Sequence, residues 1–262
     1  MSGVRRKERL DKLLVERGLV ESRERAQALI MSGSVWAQGR RLDKPGSRIY
    51  TDQRITLKAP DHPYVGRGGK KLEQALEVFG IQVEGRICLD VGAGTGGFTD
   101  CLLKRKAKVV YAVDVGYGQL HPRLRQDPRV IVLERTNIRF LEPSDIPEPP
   151  DLATIDVSFI SLEIVLPVVA ALLSPHGEVV ALIKPQFEVG KGQVGKGGVV
   201  RDPQLHREAV LKVTVNAGVL GFKWKGLTPS PLLGPKGNRE FFIHLGWIGE
   251  GRDVEELIEG IL

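Results

Sequence analysis

The segment LDVGAGTGG, residues 89–97, predicts a strand that turns sharply into a helix. Its glycines Gly92, Gly94 and Gly96 allow left-handed backbone conformations and a close approach to a ligand that side chains would block. Such a loop is typical of nucleotide-binding α/β proteins. A dinucleotide site, or a tight turn without a ligand, would use the same glycines.

Three polar residues around this loop distinguish between the possible ligands. Asp90 precedes the glycines within the strand, where a carboxylate suits a cationic methionine group better than a pyrophosphate. Asp114 ends the next predicted strand and can accept hydrogen bonds from ribose hydroxyls. Asn137 follows the third strand, either near an adenine ring or in a turn. We therefore predict an S-adenosylmethionine site formed by the glycines and these residues.

Strands and helices alternate from residue 70 to residue 262. Amphipathic spacing predicts a helix that ends at Gly80, and Asp202-Pro203 predicts the start of another that ends at Gly218. This alternation predicts an α/β domain with a doubly wound, Rossmann-like sheet. The predicted strands are RICLDV, KVVYAVDV, RVIVLE, LATID, EVVALIK and REFFIHL.

The first 60 residues predict a separate small α+β domain. Apolar spacing indicates one helix over Arg9–Arg17 and a second that begins after Ser22 and ends at Gly33. Short strands are expected from residue 35 to residue 57. Residues 61–69 are rich in Pro and Gly and are expected to form a linker.

Positive charge is concentrated in the small domain. Residues 1–58 contain 14 Lys and Arg against 7 Asp and Glu, a net charge of +7, whereas the whole chain has +6. This distribution favours RNA binding over a generally solvated basic surface. The candidate RNA-binding residues are Arg5, Arg6, Arg9, Lys12, Arg23, Arg25, Arg40 and Arg41.

Other features limit the class of protein. The longest apolar stretch, Ile164–Leu173, contains Pro167 and is shorter than the roughly 20 residues of a membrane-spanning helix. Cys88 and Cys101 lie within predicted elements, so we expect no disulfide and a cytoplasmic location without a membrane partner. The histidines lack ligand spacing, and we predict no metal.

Four charged residues fall where Rossmann-like sheets gather their active sites. Asp156 and Lys184 end predicted strands, Glu240 lies on the last predicted strand, and Lys71 lies in the first turn of a helix. The helix dipole disfavours a cation at that last position, which indicates another use for Lys71. Each residue alone is also typical of a solvated strand end or a surface ion pair.

These residues also carry a resemblance to known families. The order of Lys71, Asp156, Lys184 and Glu240 resembles the tetrad of FtsJ-type 2′-O-ribose methyltransferases. The contexts GRGGKKL, DVSFISL, IKPQFEVGKG and NREFFIHL are similar to those of the TlyA (hemolysin A) rRNA methyltransferases along the whole chain. Residues 9–46 resemble the RNA-binding domain shared by a small-subunit ribosomal protein, many pseudouridine synthases and tyrosyl-tRNA synthetases. The resemblance implies methylation of a ribose 2′-hydroxyl, that of a cytidine, in ribosomal RNA or ribosomal subunits.

For this chemistry Lys184 is the expected base, which must be uncharged to take the hydroxyl proton, and Asp156 would orient it. Lys71 and Glu240 would position the nucleotide. A base N-methyltransferase is disfavoured, because it would carry an Asn/Asp-Pro-Pro-aromatic strand end where this chain has Asp156-Val-Ser-Phe159. A catalytically inactive RNA-binding protein and a membrane-lysing hemolysin remain the alternative functions.

Overall fold

The computed structural model describes residues 6–31, 33–58, 62–190 and 192–261. The chain up to residue 58 forms a region of small helices and short strands. Its elements are β1 (Lys7–Arg9), α1 (Leu10–Glu16), α2 (Arg23–Met31), β2 (Val35–Ala37), β3 (Arg40–Arg41), β4 (Arg48–Tyr50) and β5 (Ile55–Leu57).

The N-terminal region is built from antiparallel pairings and two packed helices. Strand β1 pairs with β4, and a second small sheet has the order β3-β2-β5. Ser22 accepts a hydrogen bond from the backbone N–H of Arg25 at 3.1 Å at the start of α2, which confirms the predicted helix start. The buried core of this region consists of Leu10, Leu13, Leu14, Ala26, Ile30, Val35 and Ile49.

The rest of the chain forms a seven-stranded sheet with its helices. Its elements are α3 (Gly68–Val78), β6 (Ile87–Val91), α4 (Gly97–Lys104), β7 (Val109–Asp114), α5 (Pro122–Arg125), β8 (Val130–Glu134), β9 (Leu152–Ile155), α6 (Leu162–Leu172), β10 (Glu178–Ile183), α7 (Pro185–Glu188), α8 (Pro203–Val219), β11 (Lys223–Pro229), β12 (Phe241–Gly246) and α9 (Val254–Glu259).

The sheet has the strand order β11-β12-β10-β9-β6-β7-β8. The five strands from β10 to β8 are parallel. The chain adds β7 and β8 on one side of β6 and then returns to add β9 and β10 on its other side. This confirms the doubly wound α/β sheet, in which a crevice for ligands forms at the point of reversal. Strand β12 runs antiparallel to both of its neighbours.

Strand β12 shows how side-chain alternation divides the core into two layers. Phe241, Ile243 and Leu245 pack into the apolar cluster on one face of the sheet, and Phe242 packs into the cluster on the other face. Successive side chains of a strand point to opposite faces of the sheet, which accounts for this division. Cys88 and Cys101 are buried and free, as expected.

One edge of the sheet gathers the polar ends of several strands. The parallel strands β6, β7, β9 and β10 all end there, which places the glycine loop, Asp114, Asp156 and Lys184 side by side. Because β12 is antiparallel, it begins at this same edge, and Phe241 pairs with Ile183. Glu240 is therefore brought beside Lys184.

Several elements were not predicted, among them the short helices α5, α7 and α9. Strand β1 has only three residues, and the edge strand β11 is interrupted by a register shift between Trp224 and Gly226. Helix α6 contains Pro167, which ordinarily breaks a helix. It persists because one of its faces is buried in the core, through Leu162, Val165, Leu166 and Val169.

Some helix boundaries also differ from those expected, including both ends of α1. Helix α3 begins at Gly68 rather than Lys70, and α8 continues beyond Gly218 to Val219. Within the described residues, no helix is both long and apolar enough to cross a membrane.

Candidate active site

The glycine loop joins β6 to α4 in the conformation that its sequence predicts. Gly92 has φ 85° and Gly96 has φ 92°, both in the left-handed region. A Cβ atom at Gly92 would lie 2.6 Å from the backbone oxygen of Asp156, so only glycine lets the loop approach the end of β9. A Cβ at Gly96 would collide with the Leu124 side chain.

The carboxylate of Asp114 is tied to the loop. Its Oδ2 accepts a hydrogen bond from the backbone N–H of Gly94 at 2.8 Å, and its Oδ1 accepts one from Gly116 at 2.7 Å. Each carboxylate oxygen has a further lone pair for a ligand hydroxyl. Asp114 lines a cavity of about 700 Å³ together with Gly92 and Gly94.

Asn137 lines the same cavity and also caps a turn. Its Oδ1 accepts a hydrogen bond from the backbone N–H of Arg139 at 3.1 Å and begins a short 3₁₀ helix over Ile138–Phe140. The capping role leaves its amide N–H groups for a ligand, so both expectations for this residue are compatible with the geometry.

The structure places Asp90 beneath the loop, and its carboxylate is fully buried. Its Oδ2 accepts a hydrogen bond from Thr99 Oγ1 at 2.6 Å and its Oδ1 one from Thr154 Oγ1 at 3.3 Å. Burial, and secondarily the nearby negative charge of Asp156, raise the pKa of Asp90 to about 7. Asp90 thus joins β6, α4 and β9 under the loop and lines neither of the two cavities at this edge.

The four predicted catalytic residues come together as two ion pairs. Lys71 Nζ lies 2.5 Å from Glu240 Oε2, and Lys184 Nζ lies 2.6 Å from Asp156 Oδ1. The Lys71, Lys184 and Glu240 side chains are nearly inaccessible, at 6%, 8% and 0% exposure, whereas Asp156 keeps 24%. Asp156 is thus the most accessible member of the tetrad.

The two lysines set the charge state of Asp156. Burial disfavours its ionised form, but the positive charges of Lys184 and Lys71 outweigh this and lower the pKa of Asp156 below its ordinary value. Glu240 Oε2 is bound by Lys71, whereas Glu240 Oε1 is buried and has no hydrogen-bond partner among the described residues. This oxygen packs against Gly234, where a Cβ atom would overlap it.

A second cavity, of about 320 Å³, lies beside the first and contains the tetrad. Met31 and Asp43 of the N-terminal region form part of its wall, so both regions of the chain contribute to it. The two cavities meet at a common wall, which is formed by Gly92, Gly94, Asp156 and Ser158.

Sequence reasoning missed two residues, Ser158 in this wall and Phe159 next to it. Ser158 Oγ accepts a hydrogen bond from Lys184 Nζ at 3.1 Å, so Lys184 contacts both Asp156 and Ser158. Phe159 has φ 65° and a side chain that is 90% exposed beside the first cavity. A positive φ at a large residue is strained and is often found at functional sites. Both residues lie in the DVSFISL motif, and this motif was the sequence signal that could have identified them.

A buried carboxylate orders part of the basic surface on the N-terminal region. Asp11 accepts hydrogen bonds from the guanidinium groups of Arg9, at 2.9 and 3.0 Å, and Arg23, at 2.8 Å. The Arg9 bond above all holds the pKa of Asp11 well below its usual range. Arg9 and Arg23 remain 46% and 53% exposed, so a fixed acid holds their charges at the surface.

The other candidate RNA-binding residues differ in their surroundings. Arg6 and Lys12 pair with Glu8, whereas Arg25 and Arg40 are exposed and form no ion pair with a described residue. Arg41 is half-buried, and Arg5 lies outside the described residues. The described part of the chain contains no cluster of three or more potential metal ligands.

The raised pKa of Asp90 predicts a pH dependence of stability. In the unfolded chain this carboxyl titrates near 4, so between about pH 4 and 7 folding requires proton uptake, and stability falls as the pH rises through this range. Asp90→Asn removes this dependence and should become stabilising relative to the wild type by a few kcal/mol at pH 8, at about 1.4 kcal/mol per pKa unit. Urea denaturation of both proteins between pH 4.5 and 8 measures the difference. A difference that stays constant across this range contradicts the assignment.

Comparison with known proteins follows the same division of the chain. A family model described as FtsJ-like methyltransferase matches residues 64–247, and one described as S4 domain matches residues 8–55. The YqxC protein of Bacillus subtilis is 52% identical over 255 residues, which cover 97% of this chain and 91% of YqxC.

Two further relatives agree with this division. The 16S/23S rRNA (cytidine-2′-O)-methyltransferase TlyA of Mycobacterium tuberculosis is 51% identical over 241 residues, which cover 92% of this chain and 90% of TlyA. The solved structure of a Streptococcus thermophilus protein named as a hemolysin superposes with a TM-score of 0.76 at 46% identity, over 98% of this chain and 96% of its own. The chain therefore belongs to the TlyA family of rRNA methyltransferases, with an S4 domain in front of an FtsJ-like methyltransferase domain.

Proposed function

We propose that this protein transfers a methyl group from S-adenosylmethionine to the ribose 2′-hydroxyl of a cytidine in ribosomal RNA. One observation carries the proposal: two adjoining cavities share a wall at Asp156 and Ser158, and both of these residues contact Lys184. Such an arrangement suits a donor on one side, an acceptor on the other and a proton acceptor between them. The activity named for the Mycobacterium tuberculosis relative is of this kind.

The first cavity fits the methyl donor. Asp114 offers carboxylate oxygens for ribose hydroxyls, Asn137 offers amide N–H groups for an adenine ring, and Val115 and Ile138 provide apolar contacts. When bound, S-adenosylmethionine supplies an electrophilic methyl group on a cationic sulfonium. Because Asp90 is fully buried beneath the loop, we assign it the positioning of Gly92–Gly96 rather than a contact with the donor.

The second cavity fits the nucleotide. Lys184, in its neutral form, takes the proton of the 2′-hydroxyl as this oxygen attacks, and Asp156 fixes the direction of the amine. Lys71 and Glu240 hold each other in place in the wall of this cavity and position the nucleotide. The S4 domain would bind the surrounding RNA through its exposed cations.

Substitution of Lys184 tests the proposed base. Lys184→Ala should lower kcat by about 10²–10⁴, the usual contribution of a general base, and leave cofactor affinity within about twofold. Lys184→Arg should fare no better, because a guanidinium keeps its charge and cannot accept a proton. Labelled S-adenosylmethionine and ribosomal subunits provide the assay, and Lys108→Ala on the exposed surface is the control. Substantial turnover by Lys184→Arg would make Lys184 an electrostatic anchor and place the base elsewhere.

The basic surface of the S4 domain predicts salt-dependent RNA binding. Replacing both Arg25 and Arg40 by Ala should weaken binding to ribosomal subunits and lower the slope of log affinity against log salt by up to about 2, since each lost phosphate contact contributes about 0.7–0.9. Lys106→Ala with Lys108→Ala, on the methyltransferase domain, is the matched control and should leave the slope unchanged. Equal slopes for the two double variants would show that these cations of the S4 domain do not contact the RNA.

A further inference from the structure

The second cavity contains balanced charge, although its proposed substrate is an anion. Among the described residues its charged lining side chains are three cations and three carboxylates: Arg67, Lys71, Lys184, Asp43, Asp156 and Glu240. Each cation forms an ion pair with one of the carboxylates. A phosphate group that enters this cavity therefore meets no unpaired cation, and one of the three pairs must open to bind it.

The three pairs differ in how easily they can open. Lys71–Glu240 has side-chain exposures of 6% and 0%, and Lys184–Asp156 has 8% and 24%. Arg67–Asp43, with an N–O distance of 2.9 Å, has 21% and 33%. Breaking a buried pair leaves a charge without compensation by water, whereas a partly exposed pair separates at little cost. Arg67 is thus the cation that separates from its carboxylate partner most easily and becomes available to a phosphate.

Arg67 and Asp43 belong to different domains. Asp43 lies between β3 and β4 of the S4 domain, and Arg67 directly precedes α3, which carries Lys71 one turn further on. A displacement of the S4 domain on binding RNA therefore separates Asp43 from Arg67 without moving the tetrad. The guanidinium group also suits the task chemically, because its fork of N–H donors matches a phosphate in two-point contact.

We propose that Arg67 binds the phosphate of the target nucleotide and that Asp43 competes with this phosphate for Arg67. The inference rests on the proposed function and extends it to substrate selection. RNA that engages the S4 domain removes Asp43 from Arg67 and gains the phosphate contact. RNA that reaches only the methyltransferase domain meets Arg67 still occupied by Asp43, and is bound weakly.

Two variants of the full-length protein and their combination test this competition. Arg67→Gln should raise the KM for ribosomal subunits at least about tenfold, the loss expected for a charged hydrogen bond, with cofactor affinity by calorimetry unchanged. Asp43→Asn should instead strengthen the binding of a short fluorescent oligocytidylate, which is too small to span both domains. In the Arg67→Gln background, Asp43→Asn should have no further effect, because the guanidinium group for which Asp43 and the phosphate compete is gone.

The pair Arg105–Glu77 provides the matched control, since it is also partly exposed and lies outside the cavity, between α4 and α3. Arg105→Gln and Glu77→Gln should leave both the KM and the oligocytidylate affinity unchanged. The proposal is overturned if Arg67→Gln leaves both quantities unaltered, or if Asp43→Asn weakens RNA binding as much as Arg67→Gln, which would make the pair a structural bridge. Failure of the wild type to methylate ribosomal subunits would refute the proposed function instead, and the oligocytidylate measurement would still decide on the competition.

Discussion

Four charged side chains at one edge of the sheet, three of them buried and Asp156 partly buried, constrain the rest of the methyltransferase domain. An isolated buried charge is strongly unfavourable, so Lys71, Lys184, Asp156 and Glu240 are tolerated there only as two close pairs. The pairs in turn require that four separate elements meet within a few ångströms. The antiparallel course of β12 is what brings Glu240 to the edge where the parallel strands end.

The same pairing sets the chemical problem that the enzyme has to solve. Lys184 donates hydrogen bonds to both Asp156 and Ser158, so as a base it has to keep these contacts and still present a lone pair to the 2′-hydroxyl. A neutral amine has two N–H donors, which match these two contacts, and one lone pair. The contacts with Asp156 and Ser158 therefore fix the direction in which that lone pair points.

The sequence predicted the class of fold and the membership of the tetrad because both depend on local patterns. Strand periodicity, the glycine loop and the positions of Asp156 and Lys184 at strand ends can all be read along the chain. Which lysine pairs with which carboxylate could not be read, since it depends on the order of β9, β10 and β12 across the sheet. The contact between Arg67 and Asp43 was equally hidden, because it depends on how the two domains meet. Asp90 was predicted to bind the methionine group, but its depth beneath the glycines follows from the packing of Thr99 and Thr154 against it.

The central claim is that the acceptor is a ribose oxygen held beside Lys184. It is tested most directly by mapping the methylated nucleotide in ribosomal RNA with mass spectrometry and then replacing that one nucleotide by its 2′-deoxy form in an otherwise identical substrate. The account predicts that the deoxy substrate binds but accepts no methyl group, since the attacking oxygen is missing. Methylation of the deoxy substrate at the same nucleotide would show that a base atom is the acceptor and would contradict the account.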